Sequence, residues 1–134
     1  KGAVVSFMKS IKTGRPIIIY GDGSQVRDFI HVNDICSAII DALKGTAKPD
    51  TYNIGSGKPT SILELAHITM EVADLNESVE TVYKPVRDGE VMKTWLNIER
   101  AARELNFTPK IDLRNGLATT WDWFNKTNIT ELPQ

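Results

Sequence analysis

The sequence is short of most of what dedicated chemistry requires. One cysteine, Cys36, stands alone in 134 residues, so neither an internal disulfide nor a cysteine-rich zinc site can form. A lone thiol fits a reducing compartment, and a cytoplasmic setting is expected. Two histidines, His31 and His67, lie far apart without a local ligand partner, and no metal site is expected. Aromatics make up 7% of the chain, and no Gly-x-Ser-x-Gly elbow or Cys/His pair points to a nucleophile. Excess charge is missing too: sixteen Lys and Arg against seventeen Asp and Glu leave −1. That balance argues against binding nucleic acid by bulk electrostatics, or a membrane through a polybasic patch. No apolar run approaches the roughly 20 residues of a membrane span, and no stretch reads as a signal peptide.

What is present is ordinary for a globular domain: 41% apolar and 25% charged residues, in a chain long enough to bury a core without a covalent or metal staple. Asn-x-Ser/Thr triplets begin at Asn76, Asn106, Asn125 and Asn128. The pattern is loose and two of these asparagines fall in or beside expected helices, so chance explains them. No repeat, low-complexity tract or long linker interrupts the chain, which reads as one domain over residues 1–134.

Periodicity supplies the elements. Val4, Phe7, Met8 and Ile11 share a helical face, and that helix ends near Thr13-Gly14. It opens directly after Lys1 without a capping side chain, as a cut helix would, so a fragment of a longer polypeptide is expected. Pro16 leads into Ile17-Ile18-Ile19-Tyr20, a buried strand; Asp22-Gly23 marks a turn; Arg27 to Val32 reads as a second strand. Asn33 or Asp34 can cap a helix that turns Ile35, Ala38, Ile39, Ala42 and Leu43 inward and stops at Gly45. Thr51 to Ile54 is a further short strand. Ser61 and Glu64 form a capping box for a helix burying Ile62, Leu65, Ala66, Thr69 and Ala73. Val79 to Tyr83 alternates as a strand. Asn97 can cap a helix with Ile98, Ala101, Ala102 and Leu105 inward, and Asp112 the last one, with Leu113, Leu117, Trp121 and Phe124 inward. Beyond Lys126 the tail is polar and expected to fray. Short strands alternating with helices make an α/β chain, a mixed small lobe with about five helices.

Two glycine-rich stretches imitate phosphate-binding loops and fail the test of spacing. In Asn53-Ile54-Gly55-Ser56-Gly57-Lys58-Pro59-Thr60 the residue after the lysine is Pro59 where a magnesium-holding hydroxyl is needed, and Tyr52 stands where the first glycine belongs. Gly21-Asp22-Gly23 lacks a third glycine and is followed by a strand. Two arginines then stand out. Arg27 leads a strand after a Gly/Ser turn, and Arg87 sits in a Pro/Gly loop beside Asp88 and Glu90. A planar fork of donors suits bidentate phosphate recognition; the alternative is that each arginine pairs with its neighbouring carboxylate. Tyr20 can offer a ring face to a base or pack in the core.

The run Ile19-Tyr20-Gly21-Asp22-Gly23-Ser24-Gln25-Val26-Arg27-Asp28-Phe29-Ile30-His31-Val32-Asn33-Asp34 resembles the signature of the extended short-chain dehydrogenase/reductase family, the nucleotide-sugar epimerases and dehydratases. Tyr52-Asn53-Ile54-Gly55-Ser56-Gly57, Thr60-Ser61-Ile62, the Arg87-Asp88-Gly89-Glu90 loop, Leu105-Asn106-Phe107-Thr108-Pro109 and Leu113-Arg114-Asn115-Gly116-Leu117 follow in the family's order. The resemblance runs from Val4 to Phe124 and matches the C-terminal, substrate-binding part of such enzymes. It implies an N-terminal Rossmann domain, absent from this chain, that binds NAD through a Gly-x-x-Gly-x-x-Gly turn and carries a catalytic Tyr-x-x-x-Lys pair. Neither motif is here: Tyr20, Tyr52 and Tyr83 are followed four residues on by Ser24, Ser56 and Arg87. No catalytic, cofactor-binding or metal-binding residue is therefore expected in this chain, which alone should be inactive.

By matching positions, the resemblance implies that Arg27 and Arg87 contact the pyrophosphate of a nucleotide sugar, most simply a UDP-sugar. It places Glu90 at the ribose hydroxyls and Tyr20 beside the base, and has Asp34 cap a helix facing the missing domain. Some epimerases carry an aromatic residue a few positions after the acidic group, where this chain has Met92, Lys93 and Thr94. The implied activity is that of a UDP-glucose 4-epimerase type of isomerase, in which carbon 4 of the sugar is oxidised and re-reduced on its other face. The implied full-length protein is a homodimer. A 4,6-dehydratase or a UDP-glucuronate decarboxylase of the same family, or a free-standing binding module, would share the grip.

Overall fold

A computed structural model describes residues 2–44, 50–75 and 79–127. The expected helix stop at Gly45, the triplets at Asn76 and Asn128 and the tail from residue 128 lie outside these residues. Helices α1 (Ala3–Lys12), α2 (Val32–Leu43), α3 (Ile62–Val72), α4 (Glu99–Leu105) and α5 (Leu113–Lys126) alternate with strands β1 (Ile17–Tyr20), β2 (Val26–Asp28), β3 (Pro59–Ser61) and β4 (Thr81–Lys84). Two small sheets result. β1 pairs in parallel with β4, Ile17 opposite Thr81 and Ile19 opposite Tyr83. β2 pairs antiparallel with β3, Val26 opposite Ser61 and Asp28 opposite Pro59.

The main core gathers Phe7, Met8 and Ile11 of α1, Ile17 and Ile19 of β1, Leu65 and Ala66 of α3, and Leu117 and Phe124 of α5. The helical spacings that predict these inward faces hold in α1, α3 and α5. Thr69, fully buried in α3, returns its hydroxyl proton to the Leu65 carbonyl at 2.7 Å, which is how a hydroxyl is tolerated inside a helix-packed core. Lys12 closes the other end: its ammonium donates to the carbonyls of Phe124, Asn125 and Thr127 at 2.9–3.1 Å, placing positive charge where α5 ends in unpaired carbonyls.

Caps divide into those legible locally and those not. Ser61 Oγ accepts the Glu64 amide at 3.0 Å and Asp112 Oδ1 accepts the Asn115 amide at 2.8 Å, as expected; α4 instead starts from Ile98 without a side-chain cap, and Asn97 Oδ1, one residue earlier, accepts the Glu99 amide at 2.9 Å. The start of α2 departs. The strand expected over 27–32 stops at Asp28, and His31 caps the helix through Nδ1, which accepts from the Asn33 amide. Asp34, a candidate cap, is buried and accepts the backbone N–H groups of Lys110 (3.1 Å) and Ile111 (3.0 Å), 76 and 77 residues away.

Five further expectations fail. β1 is buried on alternate residues only: Ile17 and Ile19 point inward while Ile18 is 36% exposed, because successive strand side chains face opposite ways. Residues 51–54 form no strand; Tyr52 and Ile54 instead pack on the second core cluster of Ala38, Ala101, Leu105 and Phe107, and β3 lies further on. In α2 only Ala38 of the apolar set is fully buried, against α4, while Ile39 and Leu43 are 55% and 81% exposed. Ala102 of α4 also faces outward, and β4 begins at Thr81, two residues later than the alternation suggests.

Replacing Asp34 by Ala removes both acceptors for the 110–111 amides from a buried position. Urea unfolding of Asp34→Ala is expected to show a loss of about 2–3 kcal/mol. A loss below about 0.5 kcal/mol, the range of featureless surface changes, would mean those amides are satisfied otherwise.

Candidate functional site

The site begins with the geometry of β1. Since Ile17 and Ile19 are committed to the core, Ile18 and Tyr20 share the opposite face and open onto a cleft of about 270 Å³. The chain then reverses through Gly21 and Gly23, both at positive φ (69° and 79°), while Asp22 Oδ1 accepts the Ser24 amide at 2.9 Å. A Cβ on Gly21 would stand 2.9 Å from Val86, and one on Gly23 3.0 Å from Leu63. Glycine is therefore needed here on grounds of both backbone angle and space. The reversal leads into β2, which pairs with β3 in the second sheet, and strand alternation turns Arg27 to the cleft.

All four residues singled out from the sequence line this one cleft: Tyr20, Arg27, Arg87 and Glu90, with Ser6, Phe7, Gln25, Phe29 and Ile62 among the other walls. Arg27 Nη2 donates to Glu90 Oε1 in a short ion pair, and Nη1 donates to the carbonyl of Val26 at 2.8 Å. The expected alternative, pairing with the adjacent Asp28, does not occur. Arg87 lies with its guanidinium carbon 3.8 Å from the centroid of the Tyr20 ring, a cation–π contact. Tyr20 therefore neither packs in the core nor offers both ring faces freely: one face carries Arg87. A hydrogen bond from Arg87 and then its charge hold the Tyr20 phenol below the usual tyrosine range.

Two residues that sequence reasoning passed over shape the site. Gln25 is 3% exposed; its Nε2 donates to the Tyr20 carbonyl at 2.5 Å, while its Oε1 is buried with no partner among the described residues. A glutamine beside a Gly/Ser turn carries no pattern that foretells burial. Asp28 points away from the cleft and accepts four hydrogen bonds: from Ser56 N (2.7 Å) and Ser56 Oγ (2.5 Å) at Oδ1, and from Gly57 N (3.0 Å) and Leu96 N (3.2 Å) at Oδ2. Burial by itself would raise its pKa, but these donors together outweigh it and hold the carboxyl below its ordinary value.

The Asp28 contacts also decide the fate of the glycine-rich stretch at 53–58. A phosphate-binding loop must present free backbone N–H groups at a helix start. Here the Ser56 and Gly57 amides are spent on a carboxylate, and the stretch leads into β3. The Gly21–Gly23 turn leads into β2. Neither stretch fits a dinucleotide pyrophosphate. Among the described residues, no group of three or more His, Cys, Asp or Glu side chains could hold a metal ion, and no helix is long and apolar enough to cross a membrane.

Comparison with known proteins puts the cleft in context. Residues 1–120 match the family model described as GDP-mannose 4,6 dehydratase. A putative UDP-glucose 4-epimerase of Methanocaldococcus jannaschii is 35% identical over 129 residues, which is 96% of this chain and 41% of that protein. Among solved structures, the UDP-glucose 4-epimerase of Thermotoga maritima with UDP-glucose superposes with a TM-score of 0.86 at 34% identity, covering 93% of this chain and 40% of that one. The UDP-glucuronic acid 4-epimerase of Bacillus cereus, in complex with UDP-glucuronic acid and NAD, gives 0.85 at 26% identity, covering 94% and 40%. The chain thus spans about two fifths of the length of the relatives it matches.

The contact between Arg87 and Tyr20 can be read without a ligand. In a Tyr52→Phe/Tyr83→Phe background, Arg87→Ala should move the remaining phenolate titration, followed by ultraviolet absorbance, to higher pH. An unmoved titration would mean that the guanidinium does not sit on the ring in solution.

Proposed function

The chain belongs to the family that this match defines, the extended short-chain dehydrogenase/reductases of nucleotide-sugar chemistry, and we propose that it is the substrate-binding portion of a UDP-glucose 4-epimerase type of isomerase. The observation that carries the reading is the convergence of Arg27 and Arg87, 60 positions apart by number, on one cleft with Tyr20 and Glu90. With Glu90 balancing Arg27, the three charged groups keep one net positive charge. The guanidinium forks supply the geometry that a diphosphate accepts. Glu90 Oε2 is the acceptor left for ribose hydroxyls, and the apolar walls at Phe7, Ile18 and Phe29 suit the base.

Epimerisation at carbon 4 requires the sugar to turn over between oxidation and reduction. The anchoring energy must therefore come from the remote nucleotide diphosphate while the sugar stays free to rotate. In this reading residues 1–134 are the C-terminal lobe of a longer cytoplasmic homodimer, and NAD belongs to an N-terminal Rossmann domain outside this chain. That domain also carries the catalytic pair, since no described cradle fits the dinucleotide and no tyrosine here is followed four residues on by lysine.

The test uses the full-length protein with UDP-glucose. Arg27→Ala and Arg87→Ala are each expected to raise KM about ten- to a hundredfold, the equivalent of one or two charge-assisted hydrogen bonds. Residues 1–134 alone should show no turnover. A full-length protein that leaves UDP-glucose untouched, or one whose KM survives both substitutions, refutes the assignment.

A further inference from the structure

Arg27 and Glu90 meet although they stand 63 positions apart, and further contacts hold the segment that follows Glu90. Glu90 leads directly into residues 91–96, which run beside β2. The Val26 amide donates to the Met92 carbonyl at 2.7 Å, and the Thr94 amide donates to the Val26 carbonyl at 3.1 Å, an arrangement that bridges Val26 to Lys93 in parallel. At the far end of the segment the Leu96 amide donates to Asp28 Oδ2. Of these three ties only the last is made by a side chain that lies outside the cleft. The same carboxylate grips the turn at Ser56 and Gly57. Gly55 has no side chain because a Cβ there would come within 2.8 Å of Asp28 Oδ2 and 2.9 Å of Leu96 Cδ1. Carboxylate, turn and segment are therefore packed to contact, with no slack through which the segment could slide.

We infer that Asp28 is a positioning residue: its carboxylate fixes residues 91–96 against β2, and so sets where Glu90 and Arg87 meet Arg27 and Tyr20. This rests on the proposed function for its effect on substrate, but not for its effect on geometry. The side-chain alternation of a strand makes the device possible. Arg27 and Asp28 are neighbours in sequence and face opposite sides of β2, so one binds the cleft while the other locks the loop that completes it.

Three variants of the full-length protein separate positioning from mere structural support. Asp28→Asn keeps the shape but turns one oxygen into a donor, which faces either the Ser56 pair or the Gly57 and Leu96 amides. Leu96→Pro deletes the amide donor at the end of the segment together with the leucine side chain that packs on Gly55, so Leu96→Ala, which keeps the amide, is its control. Ser56→Ala deletes the hydroxyl bond to Asp28 and the hydroxyl's two contacts with the Lys58 backbone, while the amide bond to Asp28 stays. Asp28→Asn and Leu96→Pro are expected to raise KM for UDP-glucose about tenfold with kcat at saturation nearly unchanged, and Ser56→Ala to lower Tm while leaving KM alone. Unchanged KM in folded Leu96→Pro, or an equal rise in Ser56→Ala, overturns the inference. Leu96→Pro decides alone where Asp28→Asn does not fold. If the wild-type protein proves inactive on UDP-glucose, the functional reading fails, yet the Tyr20 titration of residues 1–134 in the Tyr52→Phe/Tyr83→Phe background still decides this one. Leu96→Pro must raise the Tyr20 pKa as Arg87 leaves the ring, and an unmoved value rejects the role of Asp28.

Discussion

The ion pair between Arg27 and Glu90 is the constraint on which the cleft depends. Its side chains are 27% and 20% exposed, so each has lost enough water to need the other. A partly desolvated charge left alone is costly, whereas a pair supported by further hydrogen bonds holds. Arg27 has that support in the carbonyl of Val26. Joining the two ends of the pair brings together a strand, β2, and a loop that enters from β4, and it leaves Arg87 as the cation without a balancing carboxylate among the described residues. The pairing neutralises one of the two guanidinium groups that line the cleft.

Around that pair, backbone geometry does the placing. Parallel pairing of β1 with β4 sets Tyr20 opposite Lys84, and the Gly21 amide extends the ladder by donating to the Lys84 carbonyl at 2.8 Å. The loop bearing Arg87 and Glu90 therefore departs from a point level with the turn that follows Tyr20. Gln25 closes the same turn from inside. The β1–β4 sheet meets the helices through the face that carries Ile17 and Ile19, and Phe7 of α1 belongs to both the core and the cleft wall.

What could be read beforehand was what is encoded within a few residues. Helical faces in α1, α3 and α5 follow from spacing, and the caps at Ser61 and Asp112 from one side chain and an amide three positions on. Partners chosen across the fold were illegible. Asp34 looks like a cap beside an apolar helix, but its acceptors go to amides 76 and 77 positions away. Asp28 looks like the natural partner of Arg27, and strand alternation sends it to the other side. Residues 51–54 have strand-like composition, yet the cluster around Ala38 claims Tyr52 and Ile54 before any ladder does. Tyr20, Arg27 and Arg87 stand out by residue type and position, and Glu90 through the family resemblance; Gln25 and Asp28 need coordinates.

The outward face of α2 has a thermodynamic consequence. Val32, Ile39, Ile40 and Leu43 are already more than half exposed in the folded chain, so melting it hydrates comparatively little new hydrocarbon at those positions. Denaturant sensitivity and the heat-capacity increment both scale with freshly exposed surface. Residues 1–134 by themselves should therefore unfold with a broader transition and a flatter stability curve than their length alone implies.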